Sequence, residues 1–409
     1  MPETTTVVVG AGHCGLAVSR HLAEHSVDHV VLERGGVANS WLTQRWDSLR
    51  LLTPNWMTRL PGASYSGADP DGFLTAGQVA GLVREYAVAS AAPVHTGTSV
   101  TSVRPGSRGF DVWTDTDRWS ARTVVLAVGT TRAAAPAAAC HLPARVESVP
   151  ATSYRNPSQL PDGGVLVVGA SASGVQIAEE LRLAGRQVTL AVGEHVRVPR
   201  RYRDHDVMWW LDGLGLLDER WDEVDDLARA RHVPSLQLVG ADRDLDLNAL
   251  QALGVRLVGR VVGIRGSVVQ FSGSLANVCT LADLKLGRLL GTIDDRAGGT
   301  GDRPAPTVVP RAPLQLDLDR SGIGSVVWAT GVRPDFSFLD LPVFDHRGRL
   351  RHTGGVTPWP GLYVIGLPLL RRRRSTFIDG ARADSADLVQ HLVGLLDDRP
   401  LHDLRRTAP

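Results

Sequence analysis

At 409 residues, with 43% hydrophobic and 21% charged residues, the chain is long enough for two or three domains with substantial cores, and a formal net charge of +1 gives no reason to expect a nucleic-acid or membrane-surface partner. Its three cysteines, Cys14, Cys140 and Cys279, stand far apart, which excludes a disulfide framework, a CxxC redox pair and a zinc knuckle. The first strand begins about five residues from Met1, which leaves no room for a signal peptide, and no apolar run approaches the ~18 residues of a membrane span, so a soluble, cytoplasmic protein is expected.

Residues 5–33 read strand, glycine turn, helix, strand, as "TTVVVG", "AGHCGLAVSRHLAEHS" and "DHVVLE". The turn holds Gly10-x-Gly12-x-x-Gly15. Gly10 permits the tight turn, Gly12 lets backbone approach a pyrophosphate, and Gly15 allows close packing of helix on strand. The helix N-terminus offers free N–H groups and partial positive charge to the phosphates. Glu33 ends the second strand, where a carboxylate can accept hydrogen bonds from a ribose. His21 and His25 of "HLAEH" share a helix face, but Leu22 stands where a zinc-protease motif needs Glu and no third ligand is evident. No metal site is expected.

Residues 38–75 are irregular and rich in Trp, Pro and Gly, and a helix is predicted near 76–89. The alternating segments "GTSVTSV", "GFDVWTD" and "RTVVLAVG" predict a β-meander ending in a buried strand. The Ala- and Pro-rich stretch 130–162 reads as a crossing between domains.

The strand–turn–helix–strand pattern then repeats over 164–192. In "VLVVGASASGVQIAEEL", Gly169, Ser171 and Gly174 fill the three glycine places, with Ser173 beside them. The following strand, "RQVTLAV", ends in Ala191–Val192 and not in an acid. Arg197, Arg200, Arg201 and Arg203 follow. Arginines grip a 2′-phosphate that a carboxylate would repel, so NADP(H) is expected over NAD(H), with nearby Glu194 working against it and a solvated basic surface as the alternative. Residues 200–320 mix helical patterns, loops and a Gly/Pro/Thr-rich tract at 297–312. A strand returns at "SVVWATG", another at "GLYVIG", and a helix closes near 380–396. Trp209–Trp210 is expected in a core, and Arg371–Arg374 in a solvated or interface loop.

Two nucleotide sites on one chain read as a bound flavin dinucleotide and the nicotinamide that reduces it. The expected fold is α/β, with two Rossmann-like dinucleotide-binding domains. The NADPH domain (156–319) is inserted into a discontinuous FAD domain (1–155 and 320–409).

These motifs resemble the two-dinucleotide flavoproteins. "NSWLTQRWDSLRLLTPNWMTRLPG" (39–62) resembles the segment of class B flavin-dependent monooxygenases in which a Trp and a W/Y-D-x-L-x-L run lie along the flavin. "VVLAVG" (124–129) and "VVWATG" (326–331) resemble the paired ATG segments that link the two domains, with Val128 in place of Thr. "LPARVESVPATSYRNP" (142–157) is similar to the fingerprint F-x-G-x-x-x-H-x-x-x-(W/Y). Tyr154 is kept, Pro150 replaces the histidine, and Ala144 and Val146 fill the Phe and Gly places. "GVTPWPGLYVIGL" (355–367) resembles the second flavin-binding segment. Over essentially the whole chain, the likeness is to bacterial CzcO-like and flavin-containing monooxygenase-like proteins.

The resemblance implies FAD and NADPH as cofactors. Gly10, Gly12, Gly15, Glu33, Arg34 and Gly366 would hold FAD, with Trp41, Arg45 and Thr53 near its ring. Gly169, Ser171, Ser173 and Gly174 would hold the NADPH pyrophosphate, and Arg197, Arg200 and Arg201 its 2′-phosphate. Gly129, Thr330 and Gly331 would contact cofactor at the linkers, and Thr53 and Asn55 are the polar candidates on the substrate side. It further implies a monooxygenase acting through a C4a-(hydro)peroxyflavin on dioxygen and a small organic substrate, by N- or S-oxygenation, hydroxylation or Baeyer–Villiger chemistry. Such a site must exclude water more than it needs an acid–base pair. A flavin dehydrogenase or oxidase taking hydride from the substrate, and a non-catalytic FAD/NADP(H) redox sensor, are the alternatives. A homodimer is compatible with all three.

Overall fold

The computed structural model describes residues 2–130, 132–133 and 136–398; part of the 130–162 crossing (131, 134 and 135) lies outside them. The β-branched runs at the N-terminus extend as strands β1 (Glu3–Val9) and β2 (His29–Leu32). With β3 (Val94–His95), β4 (Val100–Gly106), β5 (Gly109–Thr114) and β6 (Arg118–Leu126), they form a sheet in the order β3-β2-β1-β6-β5-β4. Val7, Val8 and Val124–Leu126 are fully buried, as expected of parallel strands covered on both faces. The meander β4–β6 is antiparallel, as its alternation predicts. Helix α1 (His13–Glu24) lays Leu16, Ala17 and Leu22 against the sheet. Helix α2 (Ala76–Ala89) starts at a capping box: Thr75 Oγ1 accepts from Gln78 N, and Gln78 Oε1 accepts from Thr75 N.

The second sheet is wholly parallel and runs β7-β11-β8-β9-β10, from β7 (Glu147–Pro150), β8 (Gly164–Val168), β9 (Val188–Val192), β10 (Arg256–Gly259) and β11 (Ile323–Trp328). Helix α3 (Ala172–Leu183) packs on it. Helix α4 (Leu275–Ala297) is the longest in the chain's middle region, which sequence reading left as mixed pattern. Strand β12 (Leu362–Val364) then returns to pair β6, and α5 (Gly380–Asp398) buries Leu388, Val389 and Leu392 in the first core.

Strand β7 lies before residue 155 and β11 after residue 320, yet both belong to the second sheet. The chain therefore crosses between sheets after β6 and after β11, closer to the "VVLAVG" and "VVWATG" segments than to the expected boundaries. At those crossings Arg132–Ala133 pairs antiparallel with Val332–Arg333. The two halves also meet through Trp46, which is 5% exposed and belongs to the core of the second sheet. Beside it Asp47 N donates to Arg155 O at 2.8 Å, and Asn156 Nδ2 donates to the Asp47 carboxylate at 2.7 Å. Among the described residues, no helix is long and apolar enough to cross a membrane.

Candidate dinucleotide site

Two glycine turns are built alike. Gly10 and Gly169 each have φ of +109°, and a Cβ on either would run into a backbone carbonyl, Ala127 O for Gly10 and Ala329 O for Gly169. A Cβ on Gly15 would overlap Gly10 O, and one on Gly174 would overlap Gly169 O. The first and third glycines are thus demanded by close packing of strand, turn and helix. The middle position differs. No atom lies within 4 Å of a Cβ on Gly12, so the space over the turn is free for a ligand. Gly12 caps α1 and Ser171 caps α3, both with extended backbone and neither with a side-chain cap, so the first-turn N–H groups face outward for phosphate.

Glu33 is 9% exposed and fixed at its post: Oε2 accepts from Ala11 N and Oε1 from Gly35 N, both at 2.9 Å. Each oxygen retains a second lone pair for a ribose hydroxyl. Arg34 is exposed beside it. Gly366, with φ of +81°, follows β12, and a Cβ there would meet Cys14 Sγ at 3.0 Å, so the second segment closes tightly over the first turn. Gly129, with φ of +62°, ends the "VVLAVG" segment.

A cavity of about 2400 Å³ opens at the second turn. Trp41, Arg45 and Thr53 of the first half line it together with Gly169, Ser171 and Ser173 of the second turn and with Thr330 and Gly331, whereas residues 10–15 of the first turn are not among its lining residues. The Arg45 guanidinium lies 5.2 Å over the Trp41 ring. Burial, with Arg45 nearby, depresses the His13 imidazole to about 4, and its Nε2 has no partner, so a neutral ring stands at the start of α1. Sequence reading passed over His13.

Four expected site residues do something else. Asn55 is 4% exposed; its Nδ2 donates to Asp69 O, it opens a short 3-10 turn, and it does not line the cavity. Arg197 is buried between Asp246 and Asp283, at 2.7 Å from each. Arg200 is 1% exposed, paired with Asp206 at 2.5 Å and donating to Leu52 O at 2.9 Å. All three nitrogens of Arg197 are engaged by these carboxylates, and Arg200, with only its buried Nε unpartnered, does not line the cavity. Arg201 is exposed but lies outside the cavity lining, donating to Asp204 O. Arg197 and Arg200 are thus held in internal ion pairs, while Arg201 faces solvent. At the end of β9, the cavity is instead lined by Gly193, Glu194 and Arg260. Arg260 follows β10, next to β9 in the sheet, and Glu194 is engaged by Lys285 Nζ at 3.0 Å. In sequence, Arg260 is the residue that directly follows "VRLVG".

The run Arg371–Arg374 is mixed. Arg374 is 6% exposed and pairs with Asp212, Asp218 and Asp379, and Arg372 pairs with Asp384 and Asp387, so these two are not part of a solvated loop. Arg373, in contrast, is exposed, pairs with Glu219 and lines the cavity. Trp210 is buried with Nε1 donating to Tyr202 O, whereas Trp209 is 44% exposed and stacks on His205.

Residues 7–213 match the sequence family described as pyridine nucleotide-disulphide oxidoreductase. The chain belongs to this family. A CzcO-like oxidoreductase of Geobacillus kaustophilus, itself uncharacterized, is 30% identical over 390 residues, covering 95% of this chain and 97% of the relative. Indole-3-pyruvate monooxygenase YUCCA8 of Oryza sativa is 25% identical over 384 residues, covering 88% and 85%. Among solved structures, the flavin-containing monooxygenase of Stenotrophomonas maltophilia shares the fold at a TM-score of 0.68 and 18% identity, covering 97% of this chain and 100% of that one. Membership makes this pyridine nucleotide-disulphide oxidoreductase homologue an oxidoreductase of the expected α/β, two-dinucleotide flavoprotein fold. The expected cofactors, FAD and NADPH, accord with the pyridine-nucleotide family, with the flavin-containing monooxygenase and with a steroid monooxygenase of the same fold solved bound to NADP. The family name mentions disulphides, but Cys14, Cys140 and Cys279 are all unpaired and distant in sequence.

Proposed function

We propose that the chain is an FAD- and NADPH-dependent monooxygenase of a small organic molecule. The observation that carries this reading is the single cavity onto which both the flavin-side residues Trp41, Arg45 and Thr53 and the second turn Gly169–Ser173 open. Two dinucleotides lying end to end would meet there. FAD would sit in the first turn, its pyrophosphate against Gly12 and the α1 N-terminus and its ribose on Glu33. NADPH would sit in the second, its pyrophosphate against Ser171, Ser173 and the α3 N-terminus. Its 2′-phosphate falls to Arg260, in place of Arg197, Arg200 and Arg201. Bound flavin supplies the redox chemistry and the activation of oxygen.

The chain's own residues bind, orient and exclude water. Arg45 brings positive charge beside the flavin ring's place, and Thr53 is the nearby hydroxyl on the cavity wall. Leu52, Met208, Leu211 and Phe377 make part of the wall apolar, which keeps a reactive oxygen species from water. The lack of a cysteine pair sets disulfide reduction aside in favour of a reaction on an organic substrate.

Stopped-flow spectroscopy tests the reading. The yellow protein is reduced anaerobically by NADPH and mixed with oxygenated buffer. A monooxygenase gives a transient flavin absorbance distinct from both oxidised and reduced forms, lasting longer with NADP⁺ present. Direct return to oxidised flavin points to an oxidase. No reduction by NADPH points to a dehydrogenase drawing electrons from its substrate.

A further inference from the structure

Arg231 follows the short helix Leu227–Ala230 and lines the cavity. Its Nε and Nη2 are shielded from solvent, and neither has a hydrogen-bond partner. Among the described residues no carboxylate lies within ion-pair distance of it, although Arg197, Arg200, Arg372 and Arg374 each have one or more. Its charged neighbours are basic. The nearby positive charge of Arg349 adds to burial in disfavouring the protonated form of Arg231, and Arg231 in turn adds to burial in holding His352 neutral, its imidazole lowered to about 4. Arg349 and His352 line the same cavity, and Arg349 is already matched by Asp345 at 2.9 Å.

A guanidinium with idle, desolvated donors beside a second cation is costly in a folded protein unless an anion completes it. Two adjacent N–H donors on one guanidinium match the two oxygens of a carboxylate. The second turn and Arg260 stand on the other sheet, whereas Arg349 and His352 precede β12 of the first, so the nucleotide phosphates have their own donors. The apolar stretch at Met208, Leu211 and Phe377 supplies a wall for a hydrophobic body.

We propose that Arg231 is the anchor for a carboxylate-bearing substrate with an apolar body, bound in the cavity between the two sheets. This rests on the monooxygenase reading for the word substrate, and on the geometry alone for the anion site.

The test is calorimetric titration of the FAD-loaded full chain at pH 8 with four acid–amide pairs: acetate and acetamide, benzoate and benzamide, phenylacetate and phenylacetamide, octanoate and octanamide. At least one of the larger acids should bind ten-fold or more tightly than its amide. Arg231→Gln should abolish that preference, Arg231→Lys should restore part of it, and the melting temperature of Arg231→Gln should not fall, because no internal partner is lost. The NADP⁺ dissociation constant should change less than two-fold. Equal binding of acid and amide in every pair, or a preference that survives Arg231→Gln, overturns the proposal. So does a ten-fold loss of NADP⁺ affinity in Arg231→Gln, which would give the arginine to the nucleotide. The titration needs no turnover, so its failure removes the anion site and leaves the oxygen kinetics to decide the monooxygenase reading.

Discussion

Tyr154 donates its hydroxyl to Glu180 Oε2 at 2.6 Å, and Ser48 donates to the other oxygen of the same carboxylate at 2.6 Å. One acid on α3 thus ties the tyrosine kept in the 142–157 fingerprint to the 39–62 segment of the first domain. Pro150 has a place in the same joint. It ends β7, an edge strand where a missing N–H is tolerated, and its carbonyl accepts from Ser153 N and Tyr154 N. Tyr154→Phe should therefore cost about 1 kcal/mol in chemical denaturation and leave flavin content unchanged.

The middle and the third glycine of the first turn, Gly12 and Gly15, should separate binding from folding. A Cβ on Gly12 has no protein atom within 4 Å, so Gly12→Val should fold with a normal melting curve and purify without yellow colour. Gly15→Ala must displace Gly10 O and should instead lower soluble yield and melting temperature together. Absorbance at the flavin band and circular dichroism on the same samples distinguish the two.

Arg260→Ala should raise the KM for NADPH by about 10–100-fold, the worth of a charged hydrogen bond, and leave NADH nearly unaffected. Arg200→Ala should do the reverse. Loss of its pairing leaves Asp206 partly buried and uncompensated and frees Leu52 O, which should cost about 3–5 kcal/mol of stability without changing the NADPH-to-NADH ratio. A shift of that ratio by Arg200→Ala would return the 2′-phosphate to the basic run.

Stability should fall as pH drops from about 6.5 to about 4. In that window the unfolded chain protonates His352 at its ordinary value of 6.5, while burial keeps the folded ring neutral down to about 4. The unfolded state binds more protons there, so acid favours it. His352→Asn should flatten the slope, by an amount on the order of 1–3 kcal/mol between pH 7 and pH 4, read from urea midpoints.

The glycine turns were legible because strand, turn and helix are local and each glycine answers a local contact. The capping box of α2 was legible for the same reason. The arginines were not. Arg197 finds its acids at 246 and 283, and Arg374 finds one of its acids at 212, separations that a basic run in sequence does not disclose. Asn55 was misjudged because a polar residue in an irregular segment can serve either a ligand or its own backbone, and here Asp69 O takes it. Arg231 and Arg260 emerge only once neighbouring strands and facing loops are known.

Strand β11 occupies an interior place in the second sheet, between β7 and β8, although it is the last of that sheet's strands in the chain. A ribosome must therefore deliver more than three-quarters of the polypeptide before the inserted sheet can close. Until then β7 and β8 each expose a bare edge, and the first sheet still waits for β12 and α5. Such long-deferred pairing is slow and prone to aggregation. A nascent chain halted shortly before Ile323 should be sticky and open to protease over both halves, and extension past Asp398 should protect both within a narrow range of lengths.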